Sequence, residues 1–249
     1  MAARLKLIVA YDGAPFSGWQ SQPNKNGVQD HLENAFARIC SQPVRVHGAG
    51  RTDAGVHALA QCAHVDAPER RYKPERWLAA LNGVLPPAIR VMSCRFVSES
   101  FHARFSAKGK IYRYRVWNGN VLPPLESNRA WHVRDPIDWR RMSVAAKELI
   151  GRHDFASFAA NRGAHVEDTI RRLQEASVRK SGPLLTFNFE GDGFLYKMVR
   201  LMVGELVRIG LGESAAGEIR ARLKNPDRSN STARNVAPAM GLFLIRVRY

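Results

Sequence analysis

Arg51 and Asp53 stand two residues apart in Val46-His47-Gly48-Ala49-Gly50-Arg51-Thr52-Asp53-Ala54-Gly55-Val56-His57-Ala58, a glycine-rich turn between two apolar runs. A carboxylate held in such a turn can serve as a nucleophile or general base, and a neighbouring arginine can fork onto phosphates or base edges. Loops carried by strands are the usual place for chemistry of this kind. An aspartate that merely satisfies its own backbone is the commoner occupant of a turn, so position alone leaves both readings open.

Other chemistries lack their signals. His47, His57 and His64 form neither H-x-x-x-H nor H-E-x-x-H, and no adjacent carboxylate or cysteine completes a ligand set, so no protein-bound metal is expected. Gly48-Ala49-Gly50 is not a dinucleotide fingerprint, because Asp53 stands where a third glycine would be and a strand follows. No G-K-[ST] is present, so no nucleotide cofactor is expected either. Cys40, Cys62 and Cys94 are an odd number with no C-x-x-C spacing, so neither a disulfide framework nor a cysteine zinc site is indicated, and a reducing cytoplasm fits.

The charge balance points to the partner. Across 249 residues, 38 Lys+Arg oppose 22 Asp+Glu, a formal net charge of +16. That excess goes beyond what solubility needs and makes a polyanion the natural ligand. Nucleic acid comes first because much of the excess is arginine, and an acidic membrane surface is the rival. No apolar run approaches the roughly 18 residues of a membrane span, so a soluble, unexported protein is expected.

The elements that must position the turn follow from periodicity. Leu5, Leu7, Val9 and Tyr11 alternate as a strand ending at Asp12-Gly13. Phe16, Trp19 and Gln20 lie in the next loop, where the aromatics either stack on bases or pack back onto the core. Val28, Leu32, Ala35, Phe36 and Ile39 mark a helical face. Short alternating runs flank the Asp53 turn, a helix is expected over Pro74–Leu81, and a strand over Ile89–Val97. This βαββαβ order is the ferredoxin-like arrangement.

The basic, aromatic connection Ser98–Lys110 suggests a boundary, with subdomains 1–105 and 106–249. Both are net basic, so a polyanion should touch both. In the second, a strand over Lys110–Trp117 puts Tyr112 and Tyr114 on one face, and such tyrosines are more often packing than base platforms. A helix over Trp139–Leu149, a loop or insertion over Gly151–Glu167 and a hairpin of Thr169–Val178 with Leu184–Glu190 follow. Phe194–Ile209 is an apolar helix in which Lys197, Arg200, Gly204 and Arg208 share one side. That stripe is either solvated or functional. A short helix over Ala215–Leu223, a polar run over Lys224–Arg234 and a strand over Leu242–Tyr249 complete a second strand-helix-strand-strand-helix-strand pattern.

Several segments together resemble the tRNA pseudouridine synthases of the TruA family. They are Tyr11-Asp12-Gly13 with Phe16-Ser17-Gly18-Trp19-Gln20; Gly50 to Ala58; Asn82 with Leu85-Pro86; Phe101-His102-Ala103-Arg104-Phe105-Ser106-Ala107; Tyr112-Arg113-Tyr114; Asp154 to Phe158; Phe194 to Arg200; and Ala237-Pro238 with Gly241-Leu242. The likeness runs in order along nearly the whole chain.

The resemblance implies two α/β subdomains sharing a continuous, mainly antiparallel sheet around a central basic cleft. It implies conversion of uridine to pseudouridine at positions 38, 39 and 40 of the tRNA anticodon stem-loop, with neither metal nor organic cofactor, by a cytoplasmic homodimer in which one tRNA touches both subunits. Asp53 would be the nucleophile and Arg200 its counter-charge. Arg51 would help extrude the target uridine, and Tyr112 would stack on it and is a candidate for taking the C5 proton. Gly50 and Gly55 would let the loop approach RNA, with Phe101, His102 and Arg104 as further RNA contacts. A non-catalytic RNA-binding or chaperone protein, or a synthase acting on another RNA, remains the alternative.

Overall fold

Leu5, Leu7 and Val9 are fully buried and alternate with partly covered neighbours, forming strand β1 (Ala3–Tyr11) in a computed structural model that describes residues 3–67, 72–160, 168–227 and 236–249. The chain divides into two units, Met1–Lys108 with Phe243–Tyr249, and Gly109–Leu242. Both are mixed α/β.

In the first unit, β1 is followed by helix α1 (Val28–Cys40), strands β2 (Val46–Gly48) and β3 (His57–Ala67), helix α2 (Pro74–Val84) and strand β4 (Ile89–Phe96). The expected βαββαβ order is present. β1 pairs antiparallel with β3 on one side and β4 on the other, and β2 pairs antiparallel with β3. Gly27 opens α1: its N–H donates to Asp30 Oδ2 at 2.9 Å, placing an acid at the positive end of the helix. Val28, Leu32, Ala35 and Phe36 of α1 are buried, and Phe36 meets Trp77 of α2 with ring centroids 5.3 Å apart.

β2 is short. It covers only Ala63–Val65 of β3 before the chain departs into the glycine-rich turn. The start of β3 is covered instead by strand β10 (Leu242–Arg248), whose Phe243 and Leu244 pair parallel with His57 and Ala58. The sequence pattern assigns this strand to the second half, but its hydrogen bonds complete the first unit's sheet.

The second unit holds a four-stranded antiparallel run of β5 (Gly109–Trp117), β9 (Leu184–Gly191), β8 (Ile170–Ser181) and β7 (Gly151–Asp154), in that order. A two-residue strand, β6 (Trp131–His132), pairs parallel with the end of β5. Leu185, Phe187 and Phe189 of β9 are buried, helix α3 (Trp139–Lys147) packs on β8 and on helix α4 (Met198–Leu211), and a shorter helix, α5 (Glu218–Lys224), follows.

Three expectations need correction. The supposed loop from Gly151 begins with β7 and continues through buried Phe155 to a 3-10 turn at Ala156–Phe158, because pairing with β8 makes a strand of residues that show no apolar alternation. Residues 161–167 of that segment, and 228–235 of the polar run, lie outside the described residues. Helix α4 begins at Met198 rather than Phe194, since Lys197 takes a left-handed conformation at φ 57°. Finally, the polar stripe on α4 is not a solvated one. Gly204 is buried, and Arg208 is 3.3 Å from the fully buried Glu205. Glu205 also meets Arg222 of α5 at 2.9 Å and accepts from Ser214 Oγ at 2.5 Å.

Candidate active site

The turn that carries Asp53 is fastened from three sides. Val56 N–H donates to Asp53 O at 3.1 Å, and Gly55 at φ 78° supplies the left-handed position of a type II turn. Trp19 N–H donates to Thr52 O at 3.0 Å, and buried Tyr11 Oη lies 2.8 Å from Thr52 Oγ1. Gln61 Nε2 donates to Gly50 O at 2.9 Å, and Gly13 N–H to His57 Nδ1 at 3.1 Å. Burial pushes the Tyr11 phenol well above its ordinary pKa, so it stays a neutral partner to Thr52. Asp53 is left half-buried and Arg51 exposed, with Arg51 Nε donating to Gln20 Oε1 at 3.1 Å.

The loop over residues 12–20 is therefore the turn's scaffold. Phe16 and Trp19 pack inward, which settles their alternative in favour of the core. Gly18 marks the closest approach: it sits at φ +95°, and a Cβ there would lie 2.6 Å from Thr52 O. Gly18→Ala is expected to cost about 2 kcal/mol from the conformation alone. It should also displace the Asp53 turn, lowering turnover of a protein that still folds. Urea unfolding read beside single-turnover rates checks both effects.

The connection after β4 turns inward in part. Phe101 and Tyr249 enclose the Lys6 ammonium, whose nitrogen is 4.8 Å and 3.7 Å from their ring centroids. Burial holds the Lys6 pKa below its usual value. His102 packs edge-on against His64 at 4.6 Å, and His64 stacks on His47 at 4.9 Å. His64 is buried and accepts from Ala103 N–H at 3.1 Å. Burial, and then the neighbouring His102 and His47, push its pKa down to about 4. Of the three histidines weighed as ligands, His47 and His64 thus belong to this stack, and His57 stacks on Phe243 at 4.6 Å. Among the described residues no group of three His, Cys, Asp or Glu could hold a metal ion.

A depressed histidine pKa ties stability to pH. The unfolded chain takes up a proton near pH 6.5, whereas folded His64 does so only near 4. Stability should therefore be complete above pH 6.5, fall by up to about 1.4 kcal/mol per pH unit between 6.5 and 4, and level off below. Urea titrations of the protein and of His64→Gln across this window should show a shallower slope in the variant.

In the second unit Tyr112 and Tyr114 share the buried face of β5 but differ in role. Tyr114 is fully buried and donates to Pro238 O at 2.7 Å, and a Cβ at Gly241 would come within 2.6 Å of its ring. It holds the segment Ala237–Gly241 in place. Tyr112 is 8% exposed, with Phe194 edge-on at 4.9 Å. Arg200, half-buried in the first turn of α4, donates from Nε to Ala237 O at 2.7 Å. A cation there opposes the helix dipole, at a cost of about 0.3–1 kcal/mol. The bond to Ala237 O offsets part of that cost.

The residues that sequence reasoning passed over are the fasteners Thr52, Gln61 and Glu205. Their types are ordinary, and only the pairing of distant segments reveals them. The alternation of β3 could have flagged Gln61, a polar residue facing inward in a buried strand.

The family model described as tRNA pseudouridine synthase matches residues 7–106 and 145–249. The chain is 43% identical to the tRNA pseudouridine synthase A of Methylacidiphilum infernorum, an alignment covering 98% of this chain and 94% of that protein. It is 46% identical to the tRNA pseudouridine synthase A of Solidesulfovibrio magneticus, covering 99% and 91%. With the protein of the same name from Akkermansia muciniphila it shares 43% identity over 99% of this chain and 95% of that one.

Proposed function

Because the chain belongs to the tRNA pseudouridine synthase family, we propose that it isomerises uridine to pseudouridine in tRNA, at positions 38 to 40 of the anticodon stem-loop, with Asp53 as nucleophile. The observation that carries this reading is the Asp53 turn itself. Hydrogen bonds from Tyr11, Trp19 and Gln61 fix the turn that carries a half-buried carboxylate beside an exposed arginine, a degree of fastening that a simple surface turn does not need.

The reaction needs no outside reagent. The C1′–N1 bond of uridine breaks as Asp53 forms a covalent adduct. The freed base then turns so that C5 bonds to C1′, the adduct bond breaks and returns the Asp53 carboxylate, and the C5 proton departs as N1 gains one. The site has to orient the carboxylate and partly dry it. Arg51 enters the opened helix and helps extrude the uridine. Tyr112 stacks on the base and is the candidate acceptor of the C5 proton, and Arg200 is the counter-charge of the carboxylate. Gly50 and Gly55 let the backbone come close to RNA, and His102 and Arg104 belong to its binding surface. Phe101, committed to Lys6, supports that surface from beneath.

Extruding a base costs a few kcal/mol, and one aromatic stack returns about 1–3 kcal/mol, so phosphate contacts from a chain of net charge +16 must supply the rest. The working form is a cytoplasmic homodimer with one tRNA spanning both subunits. No helix among the described residues is long and apolar enough to cross a membrane.

Mapping pseudouridine in total tRNA from a strain lacking the modification, before and after adding the protein, tests the reading. New pseudouridine confined to positions 38–40 is expected. RNA binding without pseudouridine in any RNA would overturn it in favour of a non-catalytic RNA-binding protein, and modification elsewhere would relocate the substrate.

A further inference from the structure

Phe105 is 77% exposed, an unusual setting for a phenylalanine. Its ring is nevertheless not loose. It stacks on His102 with centroids 4.3 Å apart and planes 29° apart. His102 is itself locked: its Nδ1 accepts from the N–H groups of Arg104 and Phe105 at 3.1 and 3.2 Å, its own N–H donates to Ser106 Oγ at 3.0 Å, and Ser106 N–H returns to His102 O at 2.9 Å. Behind His102 stand buried His64 and then His47, a column of four rings on the first unit.

The segment is anchored further by Tyr249 Oη, which donates to Ala103 O at 2.7 Å, and by Arg4 Nη1, which donates to Phe101 O at 3.0 Å. The column therefore presents the exposed Phe105 ring at little further cost in side-chain entropy. Arg104, also exposed, has its guanidinium carbon 5.6 Å from the Phe105 centroid.

We propose that Phe105, supported by His102, is a stacking platform for an unpaired nucleobase of the RNA substrate, with Arg104 taking the adjoining phosphate. This rests on the reading that RNA is the substrate, and it assigns a contact separate from the extruded uridine. A rigid exposed ring beside an arginine suits a base with its phosphate. An apolar protein partner would leave Arg104 and the excess of positive charge unused. Both shifted histidines of the column, His64 and His102, have pKa values below the ordinary range, mainly through burial, so the rings stay neutral and stack without mutual repulsion at pH 7. His102 is a positioning residue, acting through Phe105.

The test compares Phe105→Ala, Phe105→Leu and Phe105→Tyr with the unaltered protein, using tRNA binding and single-turnover pseudouridine formation. Phe105→Ala should weaken tRNA binding about 5- to 100-fold, with the rate at saturating tRNA unchanged. Phe105→Tyr should restore binding, whereas Phe105→Leu, apolar but without a π-face, should not. His102→Ala should reproduce the binding loss. Unchanged affinity in Phe105→Ala would overturn the platform. So would full rescue by leucine, or a change in oligomeric state in place of RNA affinity, since either marks an apolar protein contact. The unaltered protein keeps the two readings apart, because normal pseudouridine formation with a tRNA affinity indifferent to Phe105 sinks the platform alone.

Discussion

Asp53→Ala is expected to bind tRNA with near-normal affinity and to make no pseudouridine, a loss of at least about 10³-fold in rate. The bonds that shape its turn run through main-chain atoms: Thr52 O, Asp53 O and Gly50 O accept, and Val56 N–H donates. Truncating the carboxylate therefore removes the nucleophile and leaves that frame standing. Tritium release from tRNA labelled at uridine C5 measures the outcome directly. Retained release in a folded variant would exclude Asp53 from the chemistry, and lost binding would recast it as a structural residue. Asp53→Asn is a sharper control because it keeps the shape and removes the charge.

Glu205→Ala should be the most damaging change to stability, at about 3–5 kcal/mol. Glu205 is wholly buried, and it is the shared partner of Arg222, Arg208 and Ser214. Arg208 is partly exposed and can find water, so most of the cost falls on Arg222, whose side chain is 10% exposed and would lose its buried carboxylate partner. Arg222 also holds Glu218 at 2.7 Å, so losing Glu205 should loosen α5 before the rest of the unit. Urea unfolding with a circular dichroism probe gives the magnitude. Glu205→Gln, which can still accept from Ser214, should cost less. Equal stability of the alanine variant would mean that water replaces the carboxylate at no cost.

These two residues also mark how far the sequence could be read. Long periodic elements such as α1, β1 and the apolar helix were legible because one buried face repeats often enough to exceed chance. Asp53 was legible because its turn sits within a chain-long resemblance. Glu205 was not: in one dimension it is an ordinary acid in an apolar helix, and the arginine that explains it comes 17 positions later across a helix break. β7 failed for a related reason, since Gly151-Arg152-His153-Asp154 carries no strand pattern and owes its conformation to the neighbour it pairs with. The aromatics of the 12–20 loop stayed ambiguous until their burial was seen, because phenylalanine and tryptophan suit a base and a core equally well.

The parallel pairing of Phe243 and Leu244 with His57 and Ala58 has a consequence for the order of synthesis. The strand that follows the Asp53 turn lacks one neighbour until more than 180 further residues have left the ribosome. During that interval the start of β3 has an open edge, and Tyr249 is not yet present to tie down Ala103 and enclose Lys6. A nascent chain halted in the second unit would thus carry the complete catalytic motif without its finished support. The support of the Asp53 turn is completed only once Phe243 to Tyr249 are made, long after the turn's own sequence emerges.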